Sequence, residues 1–314
     1  MTARARGSDA SLQVGVETDY GVAAASAYSL YCSSVTFGAQ IGLENSDLIG
    51  VGREPSDATD GSIDVKPQVT VPVDLREFGV WLMLLLGPPV TSGSNPSTHE
   101  FSSGAATLPS ATLDVGFVAL SKYYRQLGFV ANELKLDWRP DGKPAATITG
   151  VAQSESLSGT VLDATPTTLA ISRFSAREGF VKSGGVSVGN LVGGNLSYSN
   201  GVDVVRTIRS DGLIEGIDPG MVALSGEIRV RLSDLAILDA ADSRTPVSLE
   251  FGYYRSASKS ITFTLHRALL SKPQKQLNGA AGLEVTLPFQ ASRSASDGNK
   301  SMTVTLVNDV AGYS

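Results

Sequence analysis

The sequence predicts an all-β protein with short helices, built as two tandem β-sandwich or half-barrel domains that each pack one helix. Three observations predict this class. The chain has 33 glycines and only 18% charged residues, a balance typical of short strands joined by small-residue turns. Apolar residues alternate with polar ones over many short segments. Finally, one succession of strands, a short apolar run and a DG turn occurs twice.

The two copies of this succession run from Val69 to Gly150 and from Ile228 to Leu306. Each copy begins with a strand, passes into an apolar run and closes on an Asp-Gly turn followed by a last strand. The segments that we align are 78–86 with 235–241, 113–117 with 249–253, 134–138 with 285–289, 141–142 with 297–298, and 146–150 with 302–306. We expect a tandem duplication of the kind that ring-building and tube-building proteins use.

A chain of 314 residues is long enough for two domains that each bury a core. We expect an extended N-terminal arm at 1–30, a first β domain at 31–155, a bridge at 156–184 and a second β domain at 185–314. The arm is predicted because its residues are small, polar and rich in Ala and Gly, so that it needs another surface to become ordered.

In the first domain, a strand at 65–75 carries Pro67 and Pro72, which favour an edge strand or a bulge. The apolar run 78–86 ends at Gly87-Pro88, a stop signal that predicts a short buried helix. Its nine residues fall short of the roughly 20 that a membrane-spanning helix needs. Residues 88–112 hold few apolar side chains and predict a long loop or a hairpin projecting from the body.

Further strands are predicted at 111–118, 128–138 and 145–153, and the Asp-Gly turn joins the last two as a hairpin. In the second domain, the strand at 226–232 places Glu227, Arg229 and Arg231 on one face. Ser233 is an N-cap signal for a short helix over 233–241. Trp81 and Trp138 both lie in apolar or alternating contexts, which indicates core positions.

Composition argues against several functions. The single cysteine, Cys32, excludes an intrachain disulfide framework and a cysteine zinc cluster. His99 and His266 lack metal-ligand spacing, and no catalytic motif accompanies them, so we expect no enzyme and no cofactor. The net charge is −6, with −7 in residues 1–157 and +1 in residues 158–314, and no basic stripe is present. Tight nucleic-acid binding is therefore not expected, and no secretion signal is evident at the N-terminus.

Several phrases of the sequence resemble the major tail tube proteins of long, flexible-tailed (siphovirus-type) bacteriophages. The phrases are the acid-Thr-Asp-Tyr-Gly stretch Glu17–Gly21, the strand and leucine-rich helix at 69–86, the strand and helix at 225–241, and the Val-Asn-Asp ending at 307–309. The resemblance covers nearly the whole chain through the order and spacing of these phrases.

The resemblance implies a structural virion protein whose β domains form six-domain rings that stack into a tail tube, the conduit for DNA. It implies self-association, as a trimer of duplicated chains or alternatively as a hexamer. It also implies partners in the tail terminator and distal tail proteins, and DNA that passes without specific binding. The expected location is the virion tail, assembled in the host bacterial cytoplasm, with no membrane contact.

Six acids and one base lie between residues 44 and 64. We predict that this stretch, with Asp57, Asp60 and Asp64, meets basic residues of a neighbouring domain, whereas the alternative is a solvated loop. The candidate inter-subunit bases are Arg206, Arg209, Arg229 and Arg231. The arm 1–30 and the segment 88–112 are the candidates for contact between rings.

Two other functions stay open on the sequence. A surface lectin or adhesin would use exposed aromatics, and one residue of each pair Tyr123-Tyr124 and Tyr253-Tyr254 has to point outward. Another phage tail or baseplate component would share the composition and the β-rich fold.

Overall fold

The computed structural model describes residues 4, 6–47, 49, 52–54, 56–188, 191–231, 236–272 and 284–313. Strands make up 52% of the chain and helical segments 9%, so the predicted all-β class is confirmed. The strands are β1 (Ala10–Val16), β2 (Tyr28–Ser29), β3 (Ser34–Thr36), β4 (Ala39–Glu44), β5 (Thr59–Val65), β6 (Gln68–Pro72), β7 (Val90–Ser92), β8 (Ser97–Ser102), β9 (Ala111–Phe117), β10 (Lys122–Trp138), β11 (Ala145–Val151), β12 (Ser154–Ser158), β13 (Thr167–Thr168), β14 (Gly179–Ser183), β15 (Val186–Ser187), β16 (Leu191–Ser199), β17 (Asp203–Val205), β18 (Gly216–Asp218), β19 (Ala223–Arg231), β20 (Val247–Ser256), β21 (Lys259–Leu270), β22 (Glu284–Ala291) and β23 (Met302–Asn308).

In the described residues, two α-helices accompany these strands, α1 (Phe78–Leu86) and α2 (Ala236–Ser243). All nine residues of α1 are buried, as its uniformly apolar sequence predicts. Gly87 ends α1 with a φ of 90°, and its N–H donates to the Met83 carbonyl at 2.9 Å. The predicted N-cap Ser233 of α2 lies outside the described residues.

The order of strand pairing is repeated along the chain. In the first repeat, residues 10–158, β1 pairs with β2 and β9, β9 with β10, and β10 takes β12 along its first half and β11 along its second. β11 continues to β6, and β6 to β3. In the second repeat, residues 179–308, the strands β14, β15, β20, β21, β23, β22, β19 and β16 pair in the same order. The hairpins β4–β5 and β17–β18 also occupy equivalent places.

The repeat is therefore aligned differently in its second half than the sequence suggested. The segment 134–138 lies in β10 and its equivalent lies at the end of β21, not in 285–289. β11, with 146–150, corresponds to β22, not to β23. The error arose because alternating strands resemble one another, so that matching the two Asp-Gly turns shifted the alignment by one strand.

The predicted domain boundaries stay predictions, but the pairings of β1 and β14 constrain where a boundary can lie. β1 falls inside the predicted arm and β14 inside the predicted bridge, and the two strands hold equivalent positions beside β9 and β20. From Ala10 onward, the N-terminal segment is thus paired within the chain, with Leu12 and Val14 buried.

One sheet runs through both repeats, in the order β3, β6, β11, β10, β16, β19, β22 and β21, and we call it the wall sheet. Its junction is the pairing of Glu133–Trp138 in β10 with Gly194–Ser199 in β16. Among the described strands the pairings branch but form no closed circuit, so the sheet does not close into a barrel. Buried residues of both repeats form one continuous apolar core behind it.

In this core, Trp138 of the first repeat packs against aromatic side chains of the second repeat. Its ring lies 4.8 Å from the ring of Phe251 and 6.1 Å from that of Phe263, both in the second repeat. Trp81 and Trp138 are buried, as predicted. Tyr253 is buried and Tyr254 is exposed, which confirms the expectation for that pair.

Two local expectations were wrong. β6 is an interior strand between β3 and β11, because Pro67 precedes it and Pro72 is its last residue, so that neither proline interrupts its middle. The segment 88–112 does contain a hairpin, β7–β8, but β8 lies on the body and pairs with β23. It docks there because His99 and Phe101 alternate inward and are fully buried.

We expect the substitution Trp138→Ala to lower the free energy of unfolding by about 3–5 kcal/mol, since it leaves a cavity between the repeats. Guanidinium denaturation followed by far-UV circular dichroism measures the loss. The control Tyr254→Ala, at an exposed position of β20, should change stability by no more than about 0.5 kcal/mol. Equal effects of the two substitutions would contradict the role given to Trp138.

Candidate functional site

One face of the wall sheet is open to solvent and polar from β3 to β22. The side chains alternate along most of these strands, with apolar residues on the core face and polar residues on the other, because successive residues of a strand point to opposite sides. We call this surface the polar face. It carries Ser34, Thr36, Gln68, Thr70, Glu133, Lys135, Asp137, Thr147, Thr149, Asn195, Ser197, Ser199, Ser225, Glu227, Arg229, Arg231, Glu284, Thr286, Pro288 and Gln290.

The polar face is nearly neutral, with four carboxylates and three cations in that set. Each cation lies near a carboxylate of the same face. Lys135 is 3.5 Å from Glu133, the Arg229 guanidinium is 3.9 Å from Glu227, and that of Arg231 is 3.6 Å from Glu284. Exposed pairs of this kind add little to stability, but they leave few cations free to grip an anion.

A hollow of about 780 Å³ lies on the polar face next to the β10–β11 turn. Its lining includes the hydroxyl groups of Thr70 and Thr147 and five charged side chains of both signs, Lys135, Asp137, Arg139, Asp141 and Lys143. The surface is therefore concave there and offers hydroxyl groups together with charges that nearly balance.

The hairpins β4–β5 and β17–β18 both leave the wall sheet from one end. β4 follows Thr36 and β17 follows Ser199, the ends of the equivalent strands β3 and β16. Asp60 and Asp64 lie on β5, and Asp57 lies two residues before its first residue. Ile41 and Leu43 of β4 are 53% and 71% exposed, so this hairpin presents apolar surface as well as negative charge.

Among the described residues, the structure brings together one of the predicted acid–base combinations. Arg206 forms an ion pair with Asp64 within the chain, which joins the two hairpins. Arg209 instead pairs with Asp211 at 2.6 Å. Arg229 and Arg231 lie on the polar face near its opposite end, where Arg231 faces Glu284.

The Glu17–Gly21 phrase forms a turn held by one buried carboxylate. Glu17 is 8% exposed and accepts hydrogen bonds from the N–H of Gly21 at 3.0 Å, the N–H of Gly128 at 2.8 Å and the hydroxyl of Thr112 at 2.9 Å. These bonds tie the N-terminal segment to β9 and to the bulge in β10.

The Val-Asn-Asp ending forms a second anchor, at the entry to α1. The buried Asn308 amide donates to the Leu75 carbonyl at 2.6 Å and to the Tyr313 hydroxyl at 2.8 Å. Asp309 receives two hydrogen bonds of 2.6 Å from the Arg76 guanidinium. The last strand of the second repeat is thereby bound to the helix of the first.

A buried carboxylate also stands at the start of α1. Glu77 is 2% exposed and accepts a hydrogen bond from the Tyr31 N–H at 2.9 Å, while its second oxygen has no hydrogen-bond partner in the described part of the chain. Burial raises the pKa of Glu77 to about 7; the Tyr31 N–H opposes this shift and the charge of Asp74 adds to it.

The family model described as "Phage tail tube protein" matches residues 7–291. The chain belongs to the phage tail tube protein family. The resemblance seen in the sequence is thereby confirmed at the level of the family. No curated protein matches the chain.

As a tail tube protein, the chain is a structural component of the virion tail, and catalysis is not expected of such a family. No helix in the described residues is long and apolar enough to cross a membrane. Within the same residues, no group of three or more His, Cys, Asp or Glu side chains is placed to hold a metal ion.

The sequence analysis did not predict the continuous polar face, although the alternation of polar and apolar residues that forms it is present in the sequence. Thr147 and Thr149, Ser197 and Ser199, and Ser225 each alternate with buried apolar residues. What the sequence lacks is the pairing of β10 with β16, and without it these short stretches are not seen as one surface.

We expect Glu77→Gln to raise the melting temperature at pH 8, because a neutral amide removes the cost of a buried charge. The pKa of Glu77 in the folded state lies above its ordinary value of 4.5. The contribution of this group to the free energy of unfolding is therefore fully present below pH 4.5 and is lost as the pH rises through about 7. The advantage of the variant should therefore vanish below pH 4.5.

Melting curves of both proteins between pH 4 and 9 measure this difference. Glu44→Gln, which makes the same change on the exposed β4 strand, is the matched control, and the advantage of Glu77→Gln is measured against it. A constant offset between Glu77→Gln and the unmodified chain at every pH would rule out the assigned titration.

Proposed function

We propose that this tail tube protein polymerises into rings of six β repeats, and that the rings stack into the tube of a long, flexible-tailed phage. Two repeats in one chain favour a ring of three chains. The alternative is a ring of six chains in which the second repeat decorates the outside. The tube conducts DNA from the capsid into the host, and its ends meet the tail terminator and distal tail proteins after assembly in the host cytoplasm.

In this proposal the polar face lines the bore. The single observation that carries it is the continuity of that face across both repeats, with a paired and nearly neutral set of charges. DNA carries about one negative charge per 1.7 Å of helix axis, and free cations on the wall would hold it by releasing its counterions. A wall of hydroxyl groups and internally paired charges lets DNA pass without specific binding.

The ring-to-ring contact is assigned in this proposal to the β4–β5 hairpin. The earlier candidates, the arm 1–30 and the segment 88–112, supply β1, β2, β7 and β8, which pair within the chain. Residues 39–65 carry six acids and one base, and β5 places Asp60 among exposed residues. The opposite end of the wall sheet carries Arg229 and Arg231, so that rings stacked head to tail bring the two charge signs together.

The bore assignment predicts that the double substitution Thr147→Lys and Ser197→Lys leaves the tubes intact and slows DNA ejection. The two residues flank Lys135 on neighbouring strands, so the two new lysines and Lys135 form one cluster in which only Lys135 already has a carboxylate partner. Ejection from phage particles carrying the variant is timed in vitro, and raising the salt concentration should restore the rate because counterion release weakens.

The control for this prediction is the double substitution Ser156→Lys and Leu157→Lys, which adds the same two charges on the exposed strand β12, away from the wall sheet. If the wall variant ejects DNA at the unmodified rate in low salt, the polar face does not line the bore.

The stacking assignment predicts that the double charge reversal Arg229→Glu and Arg231→Glu yields rings but few or short tubes. Adding Asp57→Lys and Asp60→Lys to the same chain should lengthen the tubes again, since both signs are then exchanged. Tube length is measured by negative-stain electron microscopy, with Lys122→Glu at an exposed position of β10 as control. Assembly unaffected by the reversal would refute this contact.

A further inference from the structure

A cleft opens at the joint between the two repeats, at one end of the wall sheet. β10 and β16 pair from Glu133 opposite Ser199 to Trp138 opposite Gly194, and the cleft lies at the Trp138 end. The hairpins β4–β5 and β17–β18 leave the sheet from the other end. The cleft has a volume of about 140 Å³, and we call it the joint cleft.

The walls of the joint cleft are mainly apolar and come from both repeats. The first repeat supplies Trp138 and Pro140, and the second supplies Phe180, Leu191 and Tyr253. One water molecule of the liquid takes about 30 Å³, so the cleft has room for the few carbon atoms of one aliphatic side chain. Apolar pockets of this kind hold the anchor residues of protein interfaces.

Trp138 has an unused hydrogen-bond donor at the joint cleft. Its side chain is buried, and the indole Nε1–H has no hydrogen-bond partner in the described part of the chain. Buried donors of folded proteins are normally paired. A main-chain carbonyl that enters the cleft beside an apolar side chain would supply the acceptor.

Two guanidinium groups lie at the mouth of the joint cleft. Arg139 lines it, and so does Gly193, where an added Cβ would lie 3.2 Å from Nη2 of Arg229. Arg139 donates one hydrogen bond to Asp137 at 3.2 Å. Arg229 lies 3.9 Å from Glu227, which is longer than a hydrogen bond. Because a guanidinium has five N–H donors, both arginines keep donors for an incoming acid.

A fully exposed isoleucine occurs at the same place in both hairpins. Pro72 of β6 and Arg231 of β19, which pair with the first residues of β11 and β22, are 159 residues apart. Ile49 in the β4–β5 connection and Ile208 in the β17–β18 connection are also 159 residues apart, and both are fully exposed. The two hairpins share few other residues, so the common isoleucine indicates a contact that both hairpins make.

The surroundings of the two isoleucines carry opposite charge. Residues 44–57, around Ile49, hold four acids and one base, whereas Ile208 lies between Arg206 and Arg209. The connection that carries Ile49 therefore complements the guanidinium groups of the joint cleft, and the connection that carries Ile208 does not.

We propose that Ile49 of one copy of this chain inserts into the joint cleft of a copy in the next ring. Asp47 and Glu54 then face the two guanidinium groups at its mouth. The occupant is a second copy, because the hairpins and the cleft lie at opposite ends of the wall sheet, which head-to-tail stacking brings together. Since both repeats line the cleft, each contact also holds the two repeats against each other. The inference rests on the proposed function and names the apolar anchor of the ring-to-ring contact.

The substitution Ile49→Ser tests the anchor. We expect rings of normal size, but tubes only at a protein concentration at least about tenfold higher, since one aliphatic side chain per contact is no longer buried. Negative-stain electron microscopy of a dilution series measures this concentration. The matched control is Ile41→Ser, at an exposed position on β4 of the same hairpin, which should change the concentration by no more than about twofold.

Cysteine pairs test the position of the anchor. In a chain in which the exposed Cys32 is replaced by serine, we would combine Ile49→Cys with Ala176→Cys, at a position that lines the cleft. Oxidation of assembled tubes should link chains of successive rings, so that denaturing electrophoresis shows a ladder that continues beyond the number of chains in one ring. A second test pair, Ile49→Cys with Pro140→Cys, uses another wall of the cleft.

The matched control combines Ala176→Cys with Ile208→Cys, which places the second thiol at the equivalent position of the other hairpin. We expect roughly tenfold less cross-linking in this control, because disulfides tolerate little error in distance.

Each outcome decides a separate claim. If Ile49→Ser forms tubes at the unmodified concentration, or if both test pairs assemble without cross-links, the anchor is wrong and the proposed function still stands. Equal cross-linking from Ile208→Cys would overturn the choice of Ile49. If electron microscopy of the unmodified chain shows neither rings nor tubes, the proposed function fails and the anchor fails with it.

Discussion

The pairing of β10 with β16 is the contact on which the rest of the molecule depends. β10 is 17 residues long and serves two sheets, since its first half pairs with β9 and β12 and its second half with β11 and β16. Register shifts after Gln126 and Ala131 bend the strand from one sheet into the other. Without the β10–β16 pairing, the polar strands of the two repeats would be two narrow ribbons instead of one surface.

The strict alternation along these strands serves both sides of the wall sheet at once. Leu134, Leu136, Leu196 and Ile228 face the common core, and the residues between them face solvent. A shift of one residue in the β10–β16 pairing would exchange the two faces. Trp138 opposes such a shift, because its ring is held between aromatic side chains of the second repeat.

The parts of the fold that were predicted correctly depend on local sequence. The buried helix α1 follows from an unbroken apolar run with a Gly-Pro stop, and the β10–β11 hairpin from its Asp-Gly turn. The parts that were missed depend on contacts between distant residues. The sequence around Ser97 does not indicate that β8 pairs with β23, about two hundred residues further on. The prediction of an edge position for β6 was wrong because its prolines lie at the ends of the strand.

The candidate site divides in the same way. The alternation of Thr147, Thr149, Ser197 and Ser199 with apolar residues can be seen in the sequence, but their common surface requires the β10–β16 pairing. Conversely, the predicted charge partners were chosen by sign alone. The structure pairs Arg206 with Asp64 inside the chain. The sequence does not predict this pair, because it depends on the β4–β5 and β17–β18 hairpins leaving the wall sheet at the same end.

The hairpin β7–β8 occurs in the first repeat only, where it covers α1 and extends the sheet beside β23. The second repeat passes from α2 to β20 through the short link 244–246 instead. In a ring of three chains, the inner wall would thus be nearly sixfold while the exterior keeps only threefold symmetry. An accessory protein that binds the outside would find three identical binding sites per ring, whereas the DNA inside would contact an almost uniform channel.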